Sequence, residues 1–273
     1  MDRRKLAREL TAIENLQLEP KVGQGQIIAI TGPPGVGKSC LIDELLKNLV
    51  SNHRVAVLAV DPSSPLSGGA LLGDRIRMTV LDDPNHMDSV YFRSIATRES
   101  SGSIPSIVRG LAKHLLANSF DIVLVETVGT GQAEIRCAAV ADRIVLVEGP
   151  ARGDGVQAEK AGLLELADLI VVNKSDLDGA DKVVNDLTIS LQLGTRPPPI
   201  VKVSAKTGEG IEELSQQITS LRMNVNSGKA KIKQQILMAN EFKLTSNPLF
   251  GEVLHRIAEE GLSIEDALEE LRG

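Results

Sequence analysis

The chain has 273 residues, of which 42% are hydrophobic and 2% aromatic with no Trp, and a formal net charge of −6. That length fits one large α/β domain with an appendage, its core built from Leu, Ile, Val and Ala. An acidic balance with so few rings argues against a nucleic-acid partner, which calls for a basic face and stacking platforms.

The first residues, "MDRRKLAREL", carry charge where a signal peptide needs an apolar stretch. The apolar runs further on are strand-sized, well short of the ~20 residues that span a bilayer. Cys40 and Cys137 match no CxxC spacing, as expected of a reducing compartment. The expectation is a soluble cytoplasmic protein without membrane or nucleic-acid contacts.

In chain order, residues 3–16 form an amphipathic helix with Leu6, Leu10, Ile13 and Leu16 on one face. Short apolar runs then alternate with helical patterns: 26–30, 54–60, 89–92, 121–126, 143–148, 169–173 and 199–203. Continuous Val/Ile/Leu runs suit parallel strands covered on both faces. Right-handed crossovers between them give a doubly wound, mostly parallel sheet. The interval between Asp61 and Tyr91 is rich in Pro and Gly with one short helical patch, and long irregular stretches in compact domains are usually functional. Residues 209–273 read as helical, broken near Ser227-Gly228 and at Asn247-Pro248. The expected division is an N-terminal helical segment (1–22), a P-loop domain (23–222) and a C-terminal helical arm (223–273).

The stretch "ITGPPGVGKSC" follows an apolar strand and opens a helix, the context in which Gly32-x4-Gly37-Lys38-Ser39 is a P-loop. Glycines let backbone N–H groups turn inward, and with the positive end of the following helix they cradle a phosphate. Gly32, Pro34, Gly35, Val36, Gly37, Lys38, Ser39 and Cys40 are the candidate cradle, although Cys40 also reads as a packing residue. Lys38 is placed to reach the β- and γ-phosphates, and the Ser39 hydroxyl to ligate Mg²⁺.

The base is read from Asn173-Lys174-Ser175-Asp176, after the strand "LIVV". A carboxylate at Asp176 accepts from N1 and the exocyclic N2 of guanine, a pair that adenine lacks; charge-assisted bonds of this kind contribute about 1.5–3 kcal/mol each. Lys174 lies along the base face and Asn173 ties this loop to the P-loop. Ser204-Ala205-Lys206 follows a further strand, where a backbone N–H meets the guanine O6. The nucleotide expected is GTP, turned over to GDP.

Hydrolysis also needs metal ligands and a held water. Glu126 closes the strand "DIVLV", Asp61 ends "VAVLAV", and Asp74 lies in "GGALLGDRIRM". With Ser39 these oxygens suit a hard cation, and Lys38, Asp74 and Glu126 are the catalytic candidates. The plainer readings are a turn-initiating Asp-Pro for Asp61 and a solvated charge, or a helix partner of Arg77, for Asp74. Gln132 is a second-rank candidate for orienting water. His53, His86, His114 and His255 show no ligand spacing and read as solvated or helix-face residues.

"VDPSSP…GGALLGDRIRM", "ETVGTGQAE", "GDGVQAEKAG" and "VVNKSD" together resemble the MeaB/ArgK-type GTPases associated with methylmalonyl-CoA mutase, from about Arg3 to about Leu214. The resemblance implies a homodimeric G-protein chaperone of an adenosylcobalamin-dependent acyl-CoA mutase, coupling GTP turnover to cofactor loading, protection and reactivation. It also implies that Asp61, Asp74 and Glu126 surround Mg²⁺. Residues 149–162, with Asp154, Gln157 and Lys160, would then report nucleotide state to the mutase. From the residues alone that stretch is a Gly-rich, charged surface loop. The rival readings are a nickel-insertion metallochaperone GTPase, which typically needs Cys and His clusters, and a transport-linked ATPase or kinase acting on basic amino acids, in which Asp176 has no role.

Overall fold

A computed structural model of the chain describes residues 2–61, 78–83, 86, 88–97, 104–127, 132–150, 158–191, 197–222 and 225–272, with backbone alone at 81–82, 132–135, 158–161 and 225–227. Its centre is a sheet of strands β1 (Gln26–Thr31), β2 (Val55–Asp61), β3 (Val90–Ala96), β4 (Ile122–Glu126), β5 (Arg143–Glu148), β6 (Leu169–Val172) and β7 (Ile200–Lys202). The order is β3-β2-β4-β1-β5-β6-β7 and every pairing is parallel. This is the doubly wound α/β sheet expected from the uninterrupted apolar runs. From β1 the chain crosses to β2 on one side, and later strands fill the other side beyond β5. The carboxyl end of β1 therefore lies at the switch point where such sheets bind ligands.

Alternate residues of each strand enter opposite layers. Ile27 and Ala29 of β1 pack under α1 (Arg3–Glu14), while Ile28 and Ile30 pack under α2 (Lys38–Leu49). The α1 layer also takes Val108, Leu111 and Leu115 of α3 (Ile107–Ala117) and Cys137–Val140 of α4 (Gln132–Val140). The α2 layer is closed by Ile211, Leu214 and Ile218 of α7 (Ile211–Ser220). A third cluster joins Leu163 and Leu164 of α5 (Ala158–Leu166) to Ala180 and Leu187 of α6 (Ala180–Leu191). Each fully buried Leu or Ile contributes roughly 1.5–3 kcal/mol, so these layers set the stability of the body.

Three expectations fail here, each because a long-range contact or an unmarked turn decides the local structure. The first helix stops at Glu14 and does not carry Leu16 into its buried face; Leu16 is 57% exposed with φ 58°. Its N–H bonds Ile13 O while Gln17 N–H bonds Ala12 O, a helix-ending pair of bonds in which the left-handed position is usually Gly. In the C-terminal region the helices break earlier than expected, between Ser220 and Val225, and α8 (Val225–Thr245) takes Ser227-Gly228 into its first turn. A Gly within a helix costs only about 1 kcal/mol, and α8 is held from outside: Met238 joins the α4 layer, and Lys231, 1% exposed, pairs with buried Asp168. Burial pushes the Lys231 ammonium pKa down, and the Asp168 carboxylate, which also accepts from Ile144 N–H at 2.7 Å, opposes that shift. After the break at Asn247-Pro248, α9 (Phe250–Glu260) ends at Gly261 in the left-handed conformation, and α10 (Ile264–Arg272) folds back onto it around Val253, Ala267 and Leu271.

The third correction concerns His114, which is fully buried on α3 and not solvated. Its Nδ1 accepts from Lys21 N–H at 3.2 Å and its Nε2 faces the Glu9 carboxylate at 3.1 Å, fastening α1 and the strap after it to the body.

Candidate functional site

The phosphate-loop sequence occupies the turn from β1 into α2. Gly32 has φ 140°, and a Cβ there would stand 2.1 Å from Val147 O. Gly37 has φ 94°, and a Cβ there would stand 2.6 Å from Asn173 Nδ2. Both positions exclude a side chain, because the loop backbone passes directly against neighbouring strand ends. Pro34 and Gly35 are exposed at the tip and Val36 is buried beneath it. Lys38 is 7% exposed; its ammonium donates to Gly32 O at 2.7 Å and Pro33 O at 3.0 Å, bracing the loop from inside. Cys40, read from sequence also as a packing residue, is exposed, since the first turn of α2 faces outward there.

The candidate metal ligands come from the start of α2 and two adjacent strand ends. Ser39 Oγ donates to Glu126 Oε1 at 2.7 Å. Glu126 closes β4 and Asp61 closes β2, both buried, on paired strands in which Ala59 is level with Glu126. Asp74 lies outside the described residues, as do Arg77, Asp154 and Gln157, and the side chains of Gln132 and Lys160. Sequence reasoning missed the bridge between the two strand ends: Thr127 Oγ1 donates to Thr31 Oγ1 at 2.9 Å, and Thr127 N–H to Ile30 O at 3.2 Å. Nothing in the sequence marks a pair of hydroxyls 96 positions apart.

The residues expected to read the base gather on the other side of the loop. Asn173, buried at the end of β6, donates to Val36 O at 2.9 Å and accepts from Ala205 N–H at 3.1 Å. One amide thereby joins three loops. Lys174, with φ 62°, arches over the loop tip and donates to Gly35 O at 2.8 Å. Asp176 is exposed and accepts from Ser204 Oγ at 2.6 Å, while the same hydroxyl accepts from Thr207 N–H at 3.2 Å. The Ser204 hydroxyl, with the Lys206 and Lys174 charges nearby, holds the Asp176 carboxyl below its ordinary range. Lys206 is exposed at the rim. Facing a nucleotide, the arrangement offers backbone donors and an ammonium at one end, a hydroxyl–carboxylate pair beside them, and an oriented carboxylate at the other.

Known proteins share this fold. A crystal structure of LAO/AO transport system kinase superposes with TM-score 0.63 over 99% of this chain and 92% of that one at 23% identity. HypB from Helicobacter pylori in complex with nickel does so with TM-score 0.55 over 79% and 94% at 16% identity. At such identities the likeness is one of fold. In sequence, a Pyrococcus horikoshii protein named as a GTPase is 42% identical over 261 residues, 89% of this chain and 81% of that protein. The mitochondrial methylmalonic aciduria type A homolog of Mus musculus is 37% identical over 76% of this chain and 52% of its own. The fused isobutyryl-CoA mutase of Cupriavidus metallidurans is 37% identical over 70% of this chain, a stretch equal to 18% of that enzyme. The family model for the methylmalonyl-CoA mutase-associated GTPase MeaB matches residues 2–258, and this chain belongs to that family of P-loop GTPases.

Proposed function

We propose that this GTPase serves as a nucleotide-dependent chaperone of an adenosylcobalamin-dependent acyl-CoA mutase, gating cofactor loading, protection and reactivation. The observation that supports this reading most directly is the relative that joins the same unit to a mutase: 205 aligned residues, 37% identical, lie inside a protein named as a fused isobutyryl-CoA mutase. A domain fused to an enzyme in one protein and free in another commonly works on that enzyme in both settings. The family's own description, as mutase-associated, points the same way. The chain would act in the cytoplasm as a homodimer, with the helices beyond residue 222 as its dimerisation arm.

In this reading the nucleotide is held along its whole length by groups already in position. N–H groups at the start of α2 meet the phosphates, and Lys38 exchanges its two carbonyl partners for phosphate oxygens. Asp176 accepts from the guanine edge, its carboxylate oriented by the Ser204 bond to Oδ1. Asn173 keeps both ends in register, because it bonds the P-loop and the Ala205 loop together. Ser39 and Glu126 are hard oxygen donors already within hydrogen-bond distance, and with Asp61 nearby they fit Mg²⁺. When bound, Mg²⁺ supplies charge neutralisation at the β- and γ-phosphate oxygens. Asp74 completes the proposed set from sequence.

Capture of mutase subunits on immobilised chain tests the partner directly. Retention of an adenosylcobalamin-dependent acyl-CoA mutase is expected to differ between a non-hydrolysable GTP analogue and GDP, since a ligand shifts an equilibrium only through differential affinity for its states. Equal absence of capture from both samples, for every mutase tried, would remove the chaperone reading.

A further inference from the structure

The strands that carry the phosphate loop and Glu126 are joined one residue past their last paired positions. Ile30 of β1 is level with Glu126 of β4. Beyond that pair, Thr127 N–H donates to Ile30 O at 3.2 Å and Thr127 Oγ1 donates to Thr31 Oγ1 at 2.9 Å. Both threonines are buried. Side chains alternate between the two faces of a strand. Ile28, Ile30 and Leu124 enter the α2 layer, while Ala29, Val123 and Val125 enter the opposite one. The two hydroxyls therefore lie on the face away from α2, in line with Ala29 and Val125, where packing alone calls for apolar groups. Glu126 turns the other way, to the α2 side, where Ser39 Oγ donates to it at 2.7 Å.

Each threonine adjoins a residue of the site. Thr31 precedes Gly32, whose carbonyl accepts from the Lys38 ammonium at 2.7 Å, and Thr127 follows Glu126. On its other side Thr31 is level with Leu146 of β5, which holds β1 against following a displaced Thr127. Pairing of β4 with β2 ends where Ala59 is level with Glu126. The hydroxyl bond closes the sheet at the point where the phosphate loop and the Glu126 strand diverge. It adds little net stability, because replacing both partners of a buried hydrogen bond by apolar groups of the same shape is nearly neutral. What it adds is a fixed spacing.

We propose that Thr31 and Thr127 are positioning residues for GTP hydrolysis: by pinning the residue after Glu126 to the residue before Gly32, they hold the Glu126 carboxylate at its distance from Ser39 and the phosphate loop. The role rests on the reading of Ser39 and Glu126 as part of the Mg²⁺ side of the site. A pair that served packing alone would affect stability; a positioning pair also changes how tightly Mg²⁺ is held.

The test is Mg²⁺ binding to the full chain loaded with GDP, followed by calorimetry, beside the Mg²⁺ dependence of GTP hydrolysis. Both are measured at a temperature where circular dichroism shows each variant folded. Thr31→Val combined with Thr127→Val replaces both hydroxyls by methyl groups. This double variant is expected to bind Mg²⁺ about tenfold more weakly and to lower kcat about tenfold or more, since small misplacements of catalytic groups cost up to ~10²-fold. Its affinity for GDP without Mg²⁺ stays at the wild-type value. Thr31→Ser and Thr127→Ser keep the hydroxyls and retain the wild-type Mg²⁺ curve. If the double variant does not fold, Thr127→Val alone, which removes one of the two hydroxyls, carries the test with a smaller shift in the same direction. Wild-type Mg²⁺ affinity and kcat in the folded variant, whatever its melting temperature, overturn the proposal. An equal loss of GDP affinity with and without Mg²⁺ overturns it too, because it marks a general loss of the site. Ser39→Ala in parallel separates the two claims. Weakened Mg²⁺ binding there with none from the double variant removes only the positioning role. Unchanged Mg²⁺ binding in both removes the metal reading and the positioning role with it.

Discussion

Replacing Lys38 by Ala is expected to eliminate measurable GTP turnover while leaving the fold intact. The ammonium sits inside the loop on Gly32 O and Pro33 O, the position from which it can turn to a β- or γ-phosphate oxygen. Loss of one such preorganised donor costs about 10²–10³ in kcat. No described neighbour can replace it: the nearby cation, Lys174, is occupied on the outer side of the loop at Gly35 O. Affinity for GTP falls more than affinity for GDP, because the missing charge faces the terminal phosphates. Lys38→Arg does not rescue the activity, since a planar guanidinium does not fit a seat shaped for a point charge. Calorimetry with both nucleotides, beside a single-turnover assay, checks the result. Unchanged GTP affinity and turnover in Lys38→Ala would remove the lysine from the site.

Asp176→Asn is expected to exchange guanine preference for xanthine preference. Ser204 Oγ donates to Oδ1 of Asp176, which orients the exposed carboxylate. An Asn at this position keeps its carbonyl on Ser204 and turns its amide outward, a donor where the carboxylate was an acceptor. Guanine then loses two charge-assisted bonds, and the 2-oxo group of xanthine gains a partner. At roughly 1.5–3 kcal/mol per bond, the shift in relative affinity is on the order of 10²-fold or more. Because Ser204 holds the Asp176 carboxyl below its ordinary value of 3.8, the ionised acceptor persists as pH falls and is lost only once pH passes beneath that value. Competition between GTP and XTP for wild type and variant measures the exchange. Retained guanine selectivity in the variant would assign base reading to another group.

The parts legible in the sequence are those written in local pattern. β1 and α2 are marked by an apolar run and a helical period, with glycines between them where the backbone has no room for a Cβ at Gly32 and Gly37. Asn173 and Asp176 follow β6 directly, and the fold brings them against the P-loop and Ser204 because β1, β6 and β7 are parallel and end on the same side of the sheet. What sequence missed depends on partners far along the chain. α1 stops at a left-handed Leu16 with no Gly to announce it, and α8 passes Gly228 because Lys231 and Met238 are held by α4 and the start of β6. His114 is buried by Glu9 and the backbone of Lys21, and the Thr31 hydroxyl finds its partner, Thr127, 96 positions away. Neither periodicity nor motif spacing carries such pairings.

The most direct test of the account is the rate of GTP hydrolysis by the purified chain, alone and with each adenosylcobalamin-dependent mutase in turn. The panel comprises mutases acting on methylmalonyl-, isobutyryl-, 2-hydroxyisobutyryl- and ethylmalonyl-CoA. The account predicts that one of them accelerates single-turnover hydrolysis of GTP, and that ATP supports no such effect. A hydrolysis rate unaltered by every mutase in the panel, or accelerated equally with ATP, would contradict it.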